Sequence, residues 1–193
     1  SMILLATGFS KDLFKLGLEA YDQGEFDKAA IQWQKDCDGG AIESCTNLGT
    51  LFESGLGVEQ DYNKAIDLYK KTCDNKDTLG CHNLGVMYAK GEGLKQDYNK
   101  AADLYKQACD DGNNDSCSNL GVLYENGQGV EKNYSKSIEL YKKACNGGHA
   151  IGCYNLGFLY VKGQGVRQDY RIAKEYFGES CDLGHQNGCD AYK

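Results

Sequence analysis

CTNLGTLFESGLGVEQDYNKAIDLYKKTC, residues 45–73, decides the fold, because the chain writes it four times. CHNLGVMYAKGEGLKQDYNKAADLYKQAC (81–109), CSNLGVLYENGQGVEKNYSKSIELYKKAC (117–145) and CYNLGFLYVKGQGVRQDYRIAKEYFGESC (153–181) follow at a fixed spacing of 36 residues. FKLGLEAYDQGEFDKAAIQWQKDC (14–37) is the same unit with a shorter middle loop. A fixed period of this length signals a repeat architecture in which each unit buries its apolar face against the next.

Two helices are legible inside each unit. Cys45, Leu48, Phe52 and Gly55 fall at three- and four-residue steps, as Cys81, Leu84, Tyr88 and Gly91 do, which predicts a first helix, A. The GxG that follows (Gly55/Gly57, Gly91/Gly93, Gly127/Gly129, Gly163/Gly165) ends it by permitting positive φ. Asp61, Asp97, Asn133 and Asp169 then stand where an N-cap belongs, before a second amphipathic helix, B, with a buried stripe such as Tyr62, Ala65, Leu68 and Tyr69. One aromatic per unit (Trp33, Tyr69, Tyr105, Tyr141, Phe177) reads as core, and the small residues Ala29, Ala65, Ala101, Ser137 and Ala173 admit the paired helix closely.

The bulk composition narrows function. The 193 residues are 41% hydrophobic and 25% charged, which is ordinary for a folded protein. A formal charge of −7 argues against nucleic acid or an anionic membrane as partner, since both call for basic patches, and favours a cationic peptide. The apolar cluster Met2 to Ala6 is far too short to span a bilayer, so no membrane insertion is expected. Ser1-Met2 reads as an expression remnant, with the natural start and any signal peptide removed.

The consensus NLGxxYxxGxGVxxDYxKAxxLYxKAC resembles the Sel1-like repeat, a relative of the tetratricopeptide repeat, over nearly the whole chain. That resemblance implies an all-α fold: an α-solenoid of about five antiparallel αα-hairpins in a right-handed superhelix, with A helices lining its concave surface. The expected units are 9–37, 41–73, 77–109, 113–145 and 149–181, with a stub at 185–193, in one domain spanning 1–193. The ten cysteines add a Cys-x7-Cys spacing: Cys37/Cys45, Cys73/Cys81, Cys109/Cys117, Cys145/Cys153 and Cys181/Cys189. With that spacing the chain is similar to the Helicobacter cysteine-rich proteins, which implies secretion and one disulfide per repeat. Such bonds would tie the end of each helix B to the start of the next helix A and place the protein in an oxidising, secreted or periplasmic, compartment. The competing reading is metal binding. Structural zinc prefers CxxC pairs that converge on one ion, whereas these pairs lie about a repeat apart. His149 and His185, midway between paired cysteines, occupy the position of Ala41, Asp77 and Asn113 and read as turn or helix-start residues.

A penicillin-binding or β-lactamase assignment attaches to some members of the cysteine-rich family. The SxxK, SDN and KTG elements of serine β-lactamases do not occur in this sequence, and neither does HExxH. The GxG turns lie between helices rather than after strands, so no nucleotide or other cofactor is implied. No catalytic residue is assigned.

Asn47, Asn83, Asn119 and Asn155 recur at one position of helix A, about 100° around from the stripe leucine. Asn forms helix poorly, so its repetition has a cause beyond propensity. One reading is a peptide-backbone clamp, as in tetratricopeptide grooves; the other is a bond to the neighbouring repeat that sets the stacking angle. Their neighbours vary: Glu43, Thr50 and Ser54; Leu79, Val86 and Lys90; Asp115, Val122 and Asn126; Ile151, Phe158 and Lys162. The expected peptide-binding set is the four asparagines with Lys90, Val122, Phe158 and Lys162, with Val122 and Phe158 as an apolar patch. The expected function is a monomeric scaffold that binds a protein or peptide, with a purely structural adaptor using outer surfaces as the alternative.

Overall fold

A computed structural model describes residues 2–193, with side chains from Asp12 onward. Eleven helices account for all regular structure among the described residues. They form two compact units, Ser1–Lys95 and Gln96–Lys193. The first holds α1 (Met2–Asp22), α2 (Phe26–Asp38), α3 (Ile42–Ser54), α4 (Tyr62–Asp74) and α5 (Thr78–Lys90). The second holds α6 (Tyr98–Asp110), α7 (Asn114–Asn126), α8 (Tyr134–Asn146), α9 (Ala150–Lys162), α10 (Tyr170–Asp182) and the short α11 (Gln186–Tyr192). Odd-numbered helices are the A helices and even-numbered ones the B helices of an all-α solenoid fold. α1 begins at Met2, earlier than the unit boundary at residue 9 read from the repeat; the side chains of Met2 to Ala6 lie outside the described residues.

The helix ends follow from local chemistry. Asp61, Asp97, Asn133 and Asp169 each cap a B helix by accepting from a backbone N–H in its first turn. Each full-length A helix from α3 to α9 stops at a glycine in the left-handed region, φ 66 to 77° at Gly55, Gly91, Gly127 and Gly163.

The NLG glycine sets the width of a hairpin. A methyl group at Gly49, Gly121 or Gly157 would sit 2.6 Å from the ring of Tyr69, Tyr141 or Phe177 on the partner B helix. These rings are the core: Trp33, Tyr69, Tyr105, Tyr141 and Phe177 are all at least 95% buried. Trp33 gathers Ala29, Ala30, Leu48 and Leu51 in the first unit, while Tyr141 gathers Ile138, Leu156 and Leu159 in the second. The second GxG glycine serves stacking, because Gly93 closes on the Tyr62 side chain and Gly165 on that of Tyr134, one hairpin back.

Five disulfides join Cys37–Cys45, Cys73–Cys81, Cys109–Cys117, Cys145–Cys153 and Cys181–Cys189, and no cysteine is free. Each links a B helix to the next A helix across a short turn. Closing a nine-residue loop contributes at most about 2.5 kcal/mol in the chain-entropy picture. No described helix is long and apolar enough to cross a membrane.

Candidate functional site: the helix-A faces

The asparagines are placed by the pitch of the A helix, one residue before the buried leucine, and all four are half-buried rather than turned out to solvent. The Asn83 side chain lies beside the Tyr69 phenol, that of Asn119 beside Tyr105, and that of Asn155 beside Tyr141, each close enough to favour the ionised hydroxyl. Each tyrosine belongs to the B helix of the preceding hairpin, so these amides meet their phenols across the stack. The cause is the ring's own burial, since a phenol removed from water needs partners for its oxygen. Two of the tyrosines also donate outward: Tyr69 Oη to Glu53 Oε2 at 2.7 Å and Tyr141 Oη to Glu125 Oε2 at 2.8 Å. Burial raises the Tyr105 hydroxyl to about 12, and burial followed by the adjacent carboxylate raises Tyr69 and Tyr141 well above the ordinary phenol value. At the first junction the aromatic is Trp33, whose indole N–H donates to the Phe14 carbonyl at 3.3 Å. Asn47 accepts there through its backbone carbonyl, from the Thr50 hydroxyl at 2.7 Å.

The remaining expected residues find separate neighbours. Val122 is half-buried and packs against the cluster around Ile138 and Tyr141. Phe158 lies edge-on to Tyr154 and Phe177, with ring centroids 4.8 and 5.4 Å apart, and Lys162 stands over it at 5.8 Å. Lys90 is exposed and pairs with Glu92 at 3.6 Å. Phe158 and Lys162 thus come together, while Val122 serves a different hairpin's core. Among the large apolar side chains of α3, α5, α7 and α9, the exposed ones are Leu79 and Ile151, 42% and 46% open in the first turns of α5 and α9.

The junctions explain the histidines. Asp77, Asn113 and His149 each cap an A helix by accepting from the N–H three residues on, His149 through Nδ1 from Gly152 at 3.1 Å. Its Nε2 meets Asp115 Oδ1 at 3.1 Å. His149 titrates below its usual value, mainly because burial disfavours the imidazolium, and Asp115 opposes that only in part. Ala41 offers no cap; the buried Asp36 instead takes the Ser44 hydroxyl. Cys145, Cys153 and Glu179 come together, yet both sulfurs are committed to their disulfide and supply no thiolate for a metal.

Each unit also has a depression between neighbouring B helices. Leu48, Phe52, Leu68, Lys64 and Lys71 line one of about 320 Å³, and Leu120, Tyr124, Leu140, Lys136 and Lys143 line its equivalent of about 330 Å³. Their lysines have internal work. Lys64 and Lys136 stand over Phe52 and Tyr124 at 4.9 and 5.0 Å. Lys71 and Lys143 bond the Cys37 and Cys109 carbonyls at the C-terminal ends of the preceding B helices.

The stacking contact has a signal in the sequence. Tyrosine stands at 69, 105 and 141 where asparagine follows at 83, 119 and 155, and at Phe177 the corresponding later position is Ala191.

Among curated proteins, the chain is 41% identical over 46 residues to "Putative beta-lactamase HcpE" of Helicobacter pylori strain J99. It is 34% identical over 61 residues to "Putative beta-lactamase HcpD" of Helicobacter pylori strain 26695. These matches take in 24% and 32% of this chain and only 13% and 20% of those proteins. Among solved structures it is similar to a Sel1 repeat protein from Oxalobacter formigenes (TM-score 0.85, 26% identity, 93% of this chain and 75% of that one). It is also similar to c5321, a protective antigen of uropathogenic Escherichia coli with an SLR fold (TM-score 0.84, 30% identity, 94% and 40%). Helicobacter pylori cysteine rich protein B aligns at TM-score 0.55 with 30% identity over 68% of this chain and 94% of that one. The Sel1 repeat matches residues 42–77, 78–113, 114–149 and 150–185 in unbroken succession, and the chain belongs to the Sel1-repeat family.

Proposed function

We propose that this chain is a binding scaffold that takes a peptide or protein partner on its helix-A faces, as a monomer in an oxidising compartment outside the cytoplasm. The observation that carries this reading is the division of labour on those helices. Leucine, glycine and asparagine of NLG are occupied by the core and the stack, while residues that differ between repeats stay open, the apolar Leu79 and Ile151 among them. Each keeps nearly half of its apolar surface in water, area that a partner could cover. Five disulfides support the compartment, because such bonds persist where thiols are not kept reduced.

The test is a pull-down from the native compartment with three baits: wild type, Ile151→Ser/Lys162→Ala on a helix-A face, and Lys70→Ala/Lys142→Ala on exposed B-helix surface. The reading expects partners lost with the first variant and kept with the second. The reverse pattern supports an adaptor that works through its outer surfaces. The names of HcpE and HcpD raise β-lactam recognition as a second reading. It requires stoichiometric covalent labelling by a fluorescent penicillin, and the scaffold reading expects none.

A further inference from the structure

Beneath the 36-residue repeat lies a period of two hairpins. IESCTNLGTLFESG (42–55) pairs with NDSCSNLGVLYENG (114–127), and TLGCHNLGVMYAKG (78–91) with AIGCYNLGFLYVKG (150–163). α3 and α7 carry acids at both ends, Glu43 and Glu53 in one, Asp115 and Glu125 in the other. α5 and α9 put Leu79 and Ile151 at the first position, Ala89 and Val161 at the second, and finish on Lys90 and Lys162. Each compact unit thus holds one acidic A helix followed by one apolar A helix.

Local helix energetics do not produce this alternation. The helix dipole is met by an acid at three of the four starts, Glu43, Asp115 and the Asp77 cap of α5, and by none at α9, while both α5 and α9 put an apolar residue in the first turn. These two apolar residues are the ones left 42% and 46% exposed. The acidic member is also fixed in place. Glu53 and Glu125 are oriented by the Tyr69 and Tyr141 hydroxyls at 2.7 and 2.8 Å. α3 is tied to the cap of α5 by Thr46 Oγ1 on Asp77 Oδ2 at 2.7 Å, and α7 to the cap of α9 by Asp115 on His149 at 3.1 Å.

We infer that each unit carries one copy of the same recognition element, and that its occupant is a polypeptide segment presenting basic side chains beside an apolar one. The basic groups lie against Glu43 and Glu53, or Asp115 and Glu125. The apolar side chain lies on Leu79 or Ile151. Charge complementarity selects this class: the acidic helix offers oriented carboxylates, and the net charge of −7 steers a cationic segment in and an acidic one away. The inference rests on the helix-A reading of function and adds to it the partner's chemistry and a stoichiometry of two segments per chain.

The experiment titrates the intact, oxidised chain into fluorescein-labelled synthetic peptides, one alternating Lys and Leu, one alternating Glu and Leu, by anisotropy and calorimetry. Expected is binding of the Lys/Leu peptide at two sites, weakened about fivefold or more by Leu79→Ser at one site and Ile151→Ser at the other, and weakened by added salt. Both substitutions are on exposed side chains, and unchanged thermal melts confirm the fold. Binding of the Glu/Leu peptide instead, lost in the same variants, overturns the partner chemistry and leaves the helix-A reading standing. A single site, or loss of all binding with either single variant, overturns the two-hairpin element. Binding of the Lys/Leu peptide that neither variant alters overturns both this inference and the helix-A reading, and binding of neither peptide overturns the inference alone.

Discussion

His149 shows how far one side chain's environment shapes its role. Its Nδ1 accepts the Gly152 N–H, so the folded state holds a neutral ring, and burial keeps its titration below the usual value. The folded protein therefore binds fewer protons here than the unfolded chain, whose His titrates near about 6.5. This stability is present above that pH and lost as pH falls through it toward the lower folded value. Urea unfolding between pH 7.5 and 5 should show a steeper loss for wild type than for His149→Asn, which keeps a cap acceptor, as Asn113 does, without a titrating ring. The asparagines give a second prediction at this scale. Removing the amide at Asn83 or Asn119 deprives a buried phenol of a partner, so each Asn→Ala change should cost about 1 kcal/mol in chemical unfolding. A backbone clamp without a stacking role would leave stability untouched.

At the scale of the element, the hairpin is defined by its caps and by the glycine under the ring. Asp97 accepts from the Asn99 and Lys100 N–H groups at 3.1 and 3.2 Å, and Asp97→Ala should cost about 1 kcal/mol by freeing those donors. Gly121 is more demanding. Its added Cβ would meet the fully buried Tyr141 ring at 2.6 Å, so Gly121→Ala should cost about 1–3 kcal/mol. Circular dichroism melts rank the two, and a Gly121→Ala protein as stable as wild type would show that the hairpin widens freely. The cap was legible in the sequence, because an N-cap acid is a local requirement; the ring received by the NLG glycine was not, because it comes from the partner helix. The partner of each asparagine was not, since a helical wheel gives the direction of a side chain and not what the next hairpin brings to meet it.

For the whole molecule, the disulfides tie successive hairpins together at five junctions. Thiol titration of denatured, unreduced protein should find no free cysteine, and reduction should lower the melting temperature by more than any single substitution above. Cys181 and Cys189 are less buried than the other four pairs, so partial reduction followed by alkylation should label them first. The sequence by itself determined the repeat, the alternation of A and B helices, the caps, the turns and the spacing of the cysteines. These depend on contacts within a few residues or on a period that any repeat architecture must obey. Only the tertiary structure decided that three of the asparagines face a buried tyrosine of the preceding hairpin, and that Leu79 and Ile151 stay open. Those outcomes depend on how one hairpin is rotated against the next, where the second GxG glycine closes on the preceding B helix, Gly93 on Tyr62 and Gly165 on Tyr134.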